Sequence, residues 1–453
     1  MSLNYLATRF TCSWPWTTLV MLCDGRIVCG CADPYAKRVV GDGRHESVAG
    51  IWNGPAVQAL RRDLNAGGSG FCGDCPLKVP LTADQPVPQR SIEGGPAPSR
   101  LYIECTAACN ISCFQACCAP ETGITRTRQA GMLDFDLFTR VVDEVGGSLV
   151  RIDFFNYGEA FLHRRAVEMC EYIKQRFPQI YLYTSTNGLA FREDQARRLT
   201  HSGIDEVTFS IDGATQETYA RYRQRGNLAV ALGNLRAMAE EKRRSGRDVP
   251  FLNWRYILFN WNDSDEEMSL ARSIASEIGV DRLCWEITDH PEDSYSRRFA
   301  PETPDYQAIR NEVWDSSNLG NALPGATPRA RIEVHEPRPG VPLFVESGRP
   351  LEILTRIQNL STKPYPARAS YGRRLVRLGA QLCAADGSLV NRDYARAWLP
   401  AALPPGGEME VPIEISAPDQ PGQYLLKFDL VSEGIDWFEA CGSEPTVAAL
   451  LVR

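Results

Sequence analysis

Between Leu101 and about Thr288 the chain alternates two kinds of pattern: short runs dense in β-branched, aromatic and aliphatic residues, and longer stretches whose apolar positions recur at steps of three and four. The first kind predicts strands at Leu101–Glu104, Val150–Phe155, Ile180–Ser185, Glu206–Ile211, Phe251–Phe259 and Leu283–Ile287. The second predicts helices at Asp134–Val145, Arg165–Arg176, Glu193–His201, Val230–Lys242 and Ser264–Ile278, each with one apolar face. Strands alternating with helices fold as a parallel sheet with right-handed crossovers, so this region is expected to be an α/β domain. From Ile332 the pattern changes to period-two runs at Leu351–Gln358, Leu375–Cys383, Ala395–Leu399, Met409–Ile415, Tyr424–Leu430 and Thr446–Val452. Asp386-Gly387, Pro404-Pro405-Gly406-Gly407 and Pro421-Gly422 supply turns, and the whole predicts a β-sandwich of about 120 residues. The expected domains are therefore 1–79, rich in cysteine; a Pro/Gly/Gln/Ser linker over 80–99; the α/β domain over 100–290; a bridge over 291–331; and the sandwich over 332–453.

Bulk composition narrows the partners. At 453 residues there is room for two or three cores, and 43% apolar with 23% charged residues is ordinary globular composition. A formal charge of −7 and a pI near 5.5 argue against a general nucleic-acid grip, which needs a basic face. The apolar stretch Trp14 to Cys23 is too short to span a bilayer and lacks a basic lead-in, so the expected location is the cytoplasm with no membrane span. Fifteen cysteines in such a chain point to metal chemistry rather than disulfides.

Five of those cysteines fall within fourteen residues, directly after the first predicted strand of the α/β domain: Glu104-Cys-Thr-Ala-Ala-Cys-Asn-Ile-Ser-Cys-Phe-Gln-Ala-Cys-Cys118. Thiolates this dense at a strand end suit iron–sulfur ligation. The bland alternatives are a zinc knuckle, against which stands the lack of histidine and of paired CxxC units in the loop, and inert buried thiols. The core Cys109-Asn-Ile-Ser-Cys113 resembles the cluster loop of the radical S-adenosylmethionine (SAM) superfamily. That resemblance implies a partial (β/α)6 barrel, in agreement with the six strands counted above. It also implies a [4Fe–4S] cluster held by three thiolates, with one iron left open for the amino and carboxylate groups of SAM. Cys109, Cys113 and Cys117 are the favoured ligands. The family spacing would place the third at 116, which is alanine here, so Cys118 and a register beginning at Cys105 stay open.

Further motifs at strand ends are similar to the family's SAM-holding elements. Asn156-Tyr157-Gly158-Glu159 resembles its Gly-Gly-Glu element, which implies that Glu159 and the backbone at Asn156 and Gly158 meet the methionine ammonium; the plain alternative for Glu159 is an exposed loop carboxylate. Ser185-Thr186-Asn187-Gly188 matches the loop beneath the adenosine, although a simple turn explains it too. Ser210-Ile211-Asp212-Gly213 followed by Arg223 is close to the SAM signature, implying a serine on the ribose or carboxylate and Arg223 on the methionine carboxylate, with Arg221 and Arg225 as neighbours that could take the role. Asn260 or Asn262 lies beyond the fifth strand. Cys284 in the sixth reads either as a hydrogen-atom donor facing the lumen or as a small wall residue. The implied reaction is reductive cleavage of SAM, with an electron from a flavodoxin- or ferredoxin-type donor, to a 5′-deoxyadenosyl radical that abstracts hydrogen from a substrate C–H bond.

The N-terminal series Cys12, Asp24-Gly25, Cys29-Gly-Cys31 and Cys72-Gly-Asp-Cys75 resembles the SPASM/twitch module, implying an auxiliary [4Fe–4S] cluster on Cys12, one of Cys29 or Cys31, Cys72 and Cys75; a zinc ribbon is the alternative. The C-terminal block resembles sandwich domains of glycan-processing proteins, and Trp437 with Phe438 could stack on a sugar or simply pack in the core. An oxidoreductase or epimerase acting on a sugar or nucleotide sugar is therefore the first expectation. A maturase modifying a ribosomal peptide and a non-catalytic iron–sulfur scaffold are the alternatives.

Overall fold

A computed structural model of the chain describes residues 9–453 other than 74, 84, 115–127, 129–130, 192–193, 289–292, 310–311, 315–328, 337–340, 362–363, 366–375 and 433–435. The chain divides into two compact units, Met1–Trp314 and Asp315–Arg453.

The first unit is built on one nine-stranded sheet. Its strands are β1 (Thr18–Met21), β2 (Arg26–Val28), β3 (Val39–Asp42), β4 (Arg100–Ile103), β5 (Arg151–Asp153), β6 (Tyr181–Thr186), β7 (Glu206–Ser210), β8 (Phe251–Leu258) and β9 (Arg282–Ile287), in the order β9-β8-β7-β6-β5-β4-β1-β2-β3. The six strands expected from the hydrophobic pattern are neighbours in sequence order and all parallel. Connecting helices are α1 (Val48–Trp52), α2 (Pro55–Asn65), α3 (Phe135–Val145), α4 (Ala166–Arg176), α5 (Gln195–His201), α6 (Gln216–Tyr222), α7 (Leu228–Arg244) and α8 (Asp265–Ile278). Because side chains alternate across a strand, Leu101, Ile103, Ile152, Leu182, Phe209 and Trp254 enter one core with the helices. Arg100, Arg151, Asp153, Glu206, Ser210 and Arg255 fall on the other face. Helix starts follow local chemistry: the Asp134 carboxylate accepts from Leu137 N at 2.9 Å, and Ser264 caps α8 ahead of Asp265, Glu266 and Glu267.

Two features of this unit differ from the sequence expectation. The cysteine-rich segment is not a separate body: β1 pairs in parallel with β4, register Thr18↔Arg100 to Met21↔Ile103, so the hairpin β1–β2–β3 extends the same sheet. Gly25, at φ +87°, makes the turn of that hairpin. The stretch 80–99 is likewise pinned along the module. Trp16 Nε1, Trp52 Nε1 and Arg61 Nη1 donate to the carbonyls of Ser91, Gly95 and Ile92 at 2.6, 3.0 and 3.0 Å, and Asn65 Nδ2 donates to Arg90 O. A proline- and glycine-rich stretch offers free carbonyls, and these side chains satisfy them.

The second unit is all-β. Its strands are β10 (Ala330–Glu336), β11 (Leu343–Val345), β12 (Pro350–Asn359), β13 (Val376–Ala384), β14 (Leu389–Trp398), β15 (Glu408–Ser416), β16 (Gly422–Ser432) and β17 (Thr446–Val452). One sheet runs β10-β12-β15 and the other β11-β17-β16-β13-β14, around a core including Ile353, Ile357, Leu378, Val411, Phe428 and Phe438. The α/β barrel-type domain with a cysteine-rich N-terminal module and a C-terminal β-sandwich is thus the observed architecture. No helix among the described residues is long and apolar enough to cross a membrane.

Candidate functional site

The carboxyl end of β4 leads straight into the cysteine loop. Glu104 sits at that junction with its side chain fully buried, and Arg128 grips it with two charge-assisted bonds at 2.7 and 2.8 Å. The same carboxylate accepts from Cys23 N at 3.2 Å, Asn156 Nδ2 at 3.2 Å and Tyr157 N at 3.4 Å, while Arg128 Nε donates to Pro34 O at 2.7 Å. One buried ion pair therefore ties the end of β1, the loop after Cys31, the cysteine loop and the Asn156–Glu159 turn together. Sequence reasoning missed it, since 24 residues separate the partners.

Within the loop, Ser112–Cys113 forms a two-residue antiparallel pairing with Arg223–Gln224, and Phe114 N donates to Tyr222 O at 2.9 Å. Arg223 is held by an ion pair to Asp212, whose other oxygen accepts from Ile257 N at 2.7 Å; its Nη1 lies 3.4 Å from Cys113 Sγ. Asn187 Nδ2 bonds Asn110 Oδ1 at 2.8 Å and approaches Cys109 Sγ at 3.8 Å. Burial pushes the Cys109 thiol up, so a thiolate there needs cationic compensation. Cys117 and Cys118 lie outside the described residues.

Glu159 is 2% exposed, which removes the exposed-loop reading. Its oxygens accept from Thr186 Oγ1 at 2.8 Å, Asn187 N at 2.7 Å and Phe161 N at 3.3 Å, and burial pushes the carboxyl upward against those bonds. Its backbone N donates to Ala108 O at 2.8 Å, so the turn rests directly on the cysteine loop. Gly158 makes that contact possible. It has φ +79°, and a Cβ there would lie 2.6 Å from Ala108 O and closer still to Thr106 O. Gly158→Ala is accordingly expected to cost about 1–3 kcal/mol in backbone strain alone and to displace the cysteine loop. A lowered melting temperature together with a reduced iron content at Cys109 and Cys113 would register both effects; an unchanged pair would contradict this packing.

Ser185 Oγ and Ser210 Oγ lie 3.1 Å apart, with Arg255 Nη2 3.4 Å from the latter. Asn156, Gly158, Glu159, Ser185, Asn187, Ser210 and Asp212 are thus all carried at or near the carboxyl ends of neighbouring strands, and Arg223 joins them from the end of α6 through its ion pair to Asp212. Two residues are not brought to that group. Asn260 is exposed and its amide donates to Asp293 O at 2.9 Å, whereas Asn262 is buried and ties Asp212 O, Ile257 O and Phe259 N. Cys284 has no exposed surface: its thiol donates to Asn253 Oδ1 at 3.3 Å and burial pushes it up to about 11. Among the described residues it is a buried residue of the barrel wall, paired in register with Arg255. Trp437 and Phe438 are 2% and 0% exposed, so neither offers a face to a sugar.

In the N-terminal module Cys12, Cys29, Cys72 and Cys75 share one apolar cluster with Phe10, Leu60 and Leu64. Burial and then mutual repulsion push Cys12 and Cys72 up to about 11 and about 12, and Cys29 upward as well. Thiols so placed ionise when a cationic iron centre is bound, which fits a four-thiolate cluster. Cys31 packs apart, against Val20, Leu22, Val28 and Tyr102. The pairing of glycine and cysteine at 29–31 did not distinguish the two; the course of the chain after β2 does, taking Cys29 into the cysteine cluster and Cys31 away from it.

Residues 103–268 match the radical SAM superfamily, and residues 12–76 match the iron–sulfur cluster-binding SPASM domain. The chain therefore carries a radical SAM domain, which takes a [4Fe–4S] cluster and SAM, preceded by an SPASM domain, which takes auxiliary iron–sulfur clusters. It is similar to a GTP 3′,8-cyclase of Desulforamulus reducens (29% identical over 28% of this chain and 38% of the relative). It is also similar to a tungsten-containing aldehyde ferredoxin oxidoreductase cofactor-modifying protein of Pyrococcus furiosus (32%, over 25% and 30%) and to mycofactocin maturase MftC of Mycobacterium ulcerans (30%, over 32% and 37%). The chain spans about a third to a half of the length of the curated relatives it matches. Among solved structures, Streptococcus suis SuiB bound to S-adenosylmethionine aligns at 14% identity and a TM-score of 0.34, over 42% of this chain and 40% of that one.

Proposed function

We propose that the protein is a radical SAM enzyme that modifies a residue of a peptide or protein by abstracting hydrogen from an unactivated C–H bond. When bound, the cluster and SAM supply the hard step, a reductively generated carbon radical. The chain's own residues then position and shield. Cys109, Cys113 and Cys117 hold the site cluster. The Asn156–Glu159 turn and Asn187 frame the methionine end, with Ser185 and Ser210 beside them, and Arg223, fixed by Asp212, presents a guanidinium toward the same place. Cys12, Cys29, Cys72 and Cys75 hold the auxiliary cluster, with an electron donor of flavodoxin or ferredoxin type supplying reductant.

The observation that carries this reading is the gathering of one thiol loop and three strand-end motifs at the carboxyl ends of parallel strands, with four further cysteines in one buried cluster of the N-terminal module. The peptide substrate draws support from the SPASM domain and the maturase relative. The sugar reading loses its residues, since Trp437 and Phe438 are buried.

The reading is tested by deuterium transfer. Reconstituted enzyme is incubated with SAM, reductant and the macromolecular fraction of host cells grown on deuterated amino acids. Label in 5′-deoxyadenosine, abolished when that fraction is first treated with protease, is the expected result. Label only from small molecules of cells grown on deuterated sugar would replace the peptide with the carbohydrate. A second test separates the hairpin cysteines: Cys29→Ser should lose about four irons per chain and Cys31→Ser none. The reverse outcome would move the auxiliary ligand from Cys29 to Cys31.

A further inference from the structure

Tyr219, in the middle of α6, has no exposed surface, and its hydroxyl has no hydrogen-bond partner among the described residues. A buried tyrosine hydroxyl normally finds one, and phenylalanine would fill the same space without the unsatisfied group. The ring packs closely on glycine backbone. A Cβ on Gly226 would lie 2.7 Å from Tyr219 Cε1 and 2.9 Å from its oxygen, and Gly213 packs directly against the Tyr219 backbone. Gly226 N donates to Arg223 O at 2.9 Å, so this hydroxyl belongs to the turn whose Arg223–Gln224 strand pairs with Ser112–Cys113. Arg223, Asp212, Cys113 and Cys109 are the groups that act on it electrostatically. In the same turn Arg223 Nη1 already stands 3.4 Å from Cys113 Sγ, with its direction fixed by Asp212.

We propose that the Tyr219 hydroxyl and the Arg223 guanidinium donate hydrogen bonds to sulfur atoms of the cluster held at Cys109 and Cys113, and thereby raise its reduction potential. The proposal rests on the radical SAM reading of that loop. Donors aimed at cluster sulfurs favour the more negative, reduced state, so removing one lowers the potential. The unsatisfied hydroxyl is then a group whose partner is the cofactor and not the protein.

Tyr219→Phe in the full chain tests this. After anaerobic reconstitution, the site cluster is the one whose electron paramagnetic resonance signal changes when SAM is added, and its midpoint is read by redox titration before that addition. Expected are unchanged iron and sulfide content, an apoprotein melting temperature equal to or above wild type, and a lower midpoint. A tenfold shift in the oxidised-to-reduced ratio corresponds to about 59 mV for a one-electron couple, which sets the scale. Arg223→Lys, which keeps the charge but not the fork, should lower the midpoint as well. An unchanged midpoint in Tyr219→Phe at full loading would overturn the proposal, as would a lower apoprotein melting temperature, which would mean that the hydroxyl has a protein partner. Absence of any SAM-responsive cluster in the wild type would instead overturn the radical SAM reading itself.

Discussion

Serine in place of Cys109, Cys113 and Cys117 together is expected to remove about four irons per chain and to bring SAM cleavage down to the enzyme-free level. The effect is large because the three thiolates share one centre: serine at all of them leaves only weak oxygen donors where soft ligands are required. The fold should persist. Cys113 and Cys109 are flanked by Arg223 and Asn187, but the loop is anchored chiefly by backbone bonds and by Glu104. Iron and sulfide counts with a chromatographic assay for 5′-deoxyadenosine check both arms. Single serine variants at Cys117 and Cys118 then fix the register: cleavage lost only in the Cys118 variant would move the third ligand by one residue.

The second large effect belongs to the Glu104–Arg128 pair. Arg128→Met should destabilise the protein by about 3–5 kcal/mol, because it strands a fully buried carboxylate that three further donors alone must satisfy. Glu104→Gln on the Arg128→Met background should recover much of that loss, since removing both charges of a buried pair is often close to neutral. Chemical denaturation of the four proteins of this cycle measures the coupling. A loss below about 1 kcal/mol in the single variant would place the pair in contact with solvent, contrary to the geometry.

The barrel strands and their helices were legible because each strand must bury one face against helices, and that demand writes itself into Leu101, Ile103, Val207, Phe209 and Trp254. The strand-end motifs were legible for a related reason: a thiol run, Gly158 and Asp212 stand where the apolar pattern stops. What could not be read depends on contacts distant in sequence. Nothing local in Thr18–Met21 says that it will pair with Arg100–Ile103 and merge the cysteine module into the barrel sheet. Helix α6 lacks an apolar stripe; the Thr215–Thr218 capping box and the packing of Tyr219 on Gly213 make it. Asn260 and Asn262 are indistinguishable by composition, and only the turn after β8 decides that Asn262 faces inward. Trp437 and Phe438 are buried, the ordinary destination of apolar side chains on sheet faces, and Cys284 is buried on the sheet face that carries Asn253 and Arg255.

The central claim is that this chain holds two iron–sulfur clusters, one of which cleaves SAM. Anaerobic reconstitution of the full chain, with metal and sulfide analysis and a 5′-deoxyadenosine assay under reductant, tests it most directly. About eight irons and eight sulfides per chain, with 5′-deoxyadenosine formed only when SAM and reductant are both present, is the expected result. Zinc in place of iron, or full iron loading without any 5′-deoxyadenosine, would contradict it.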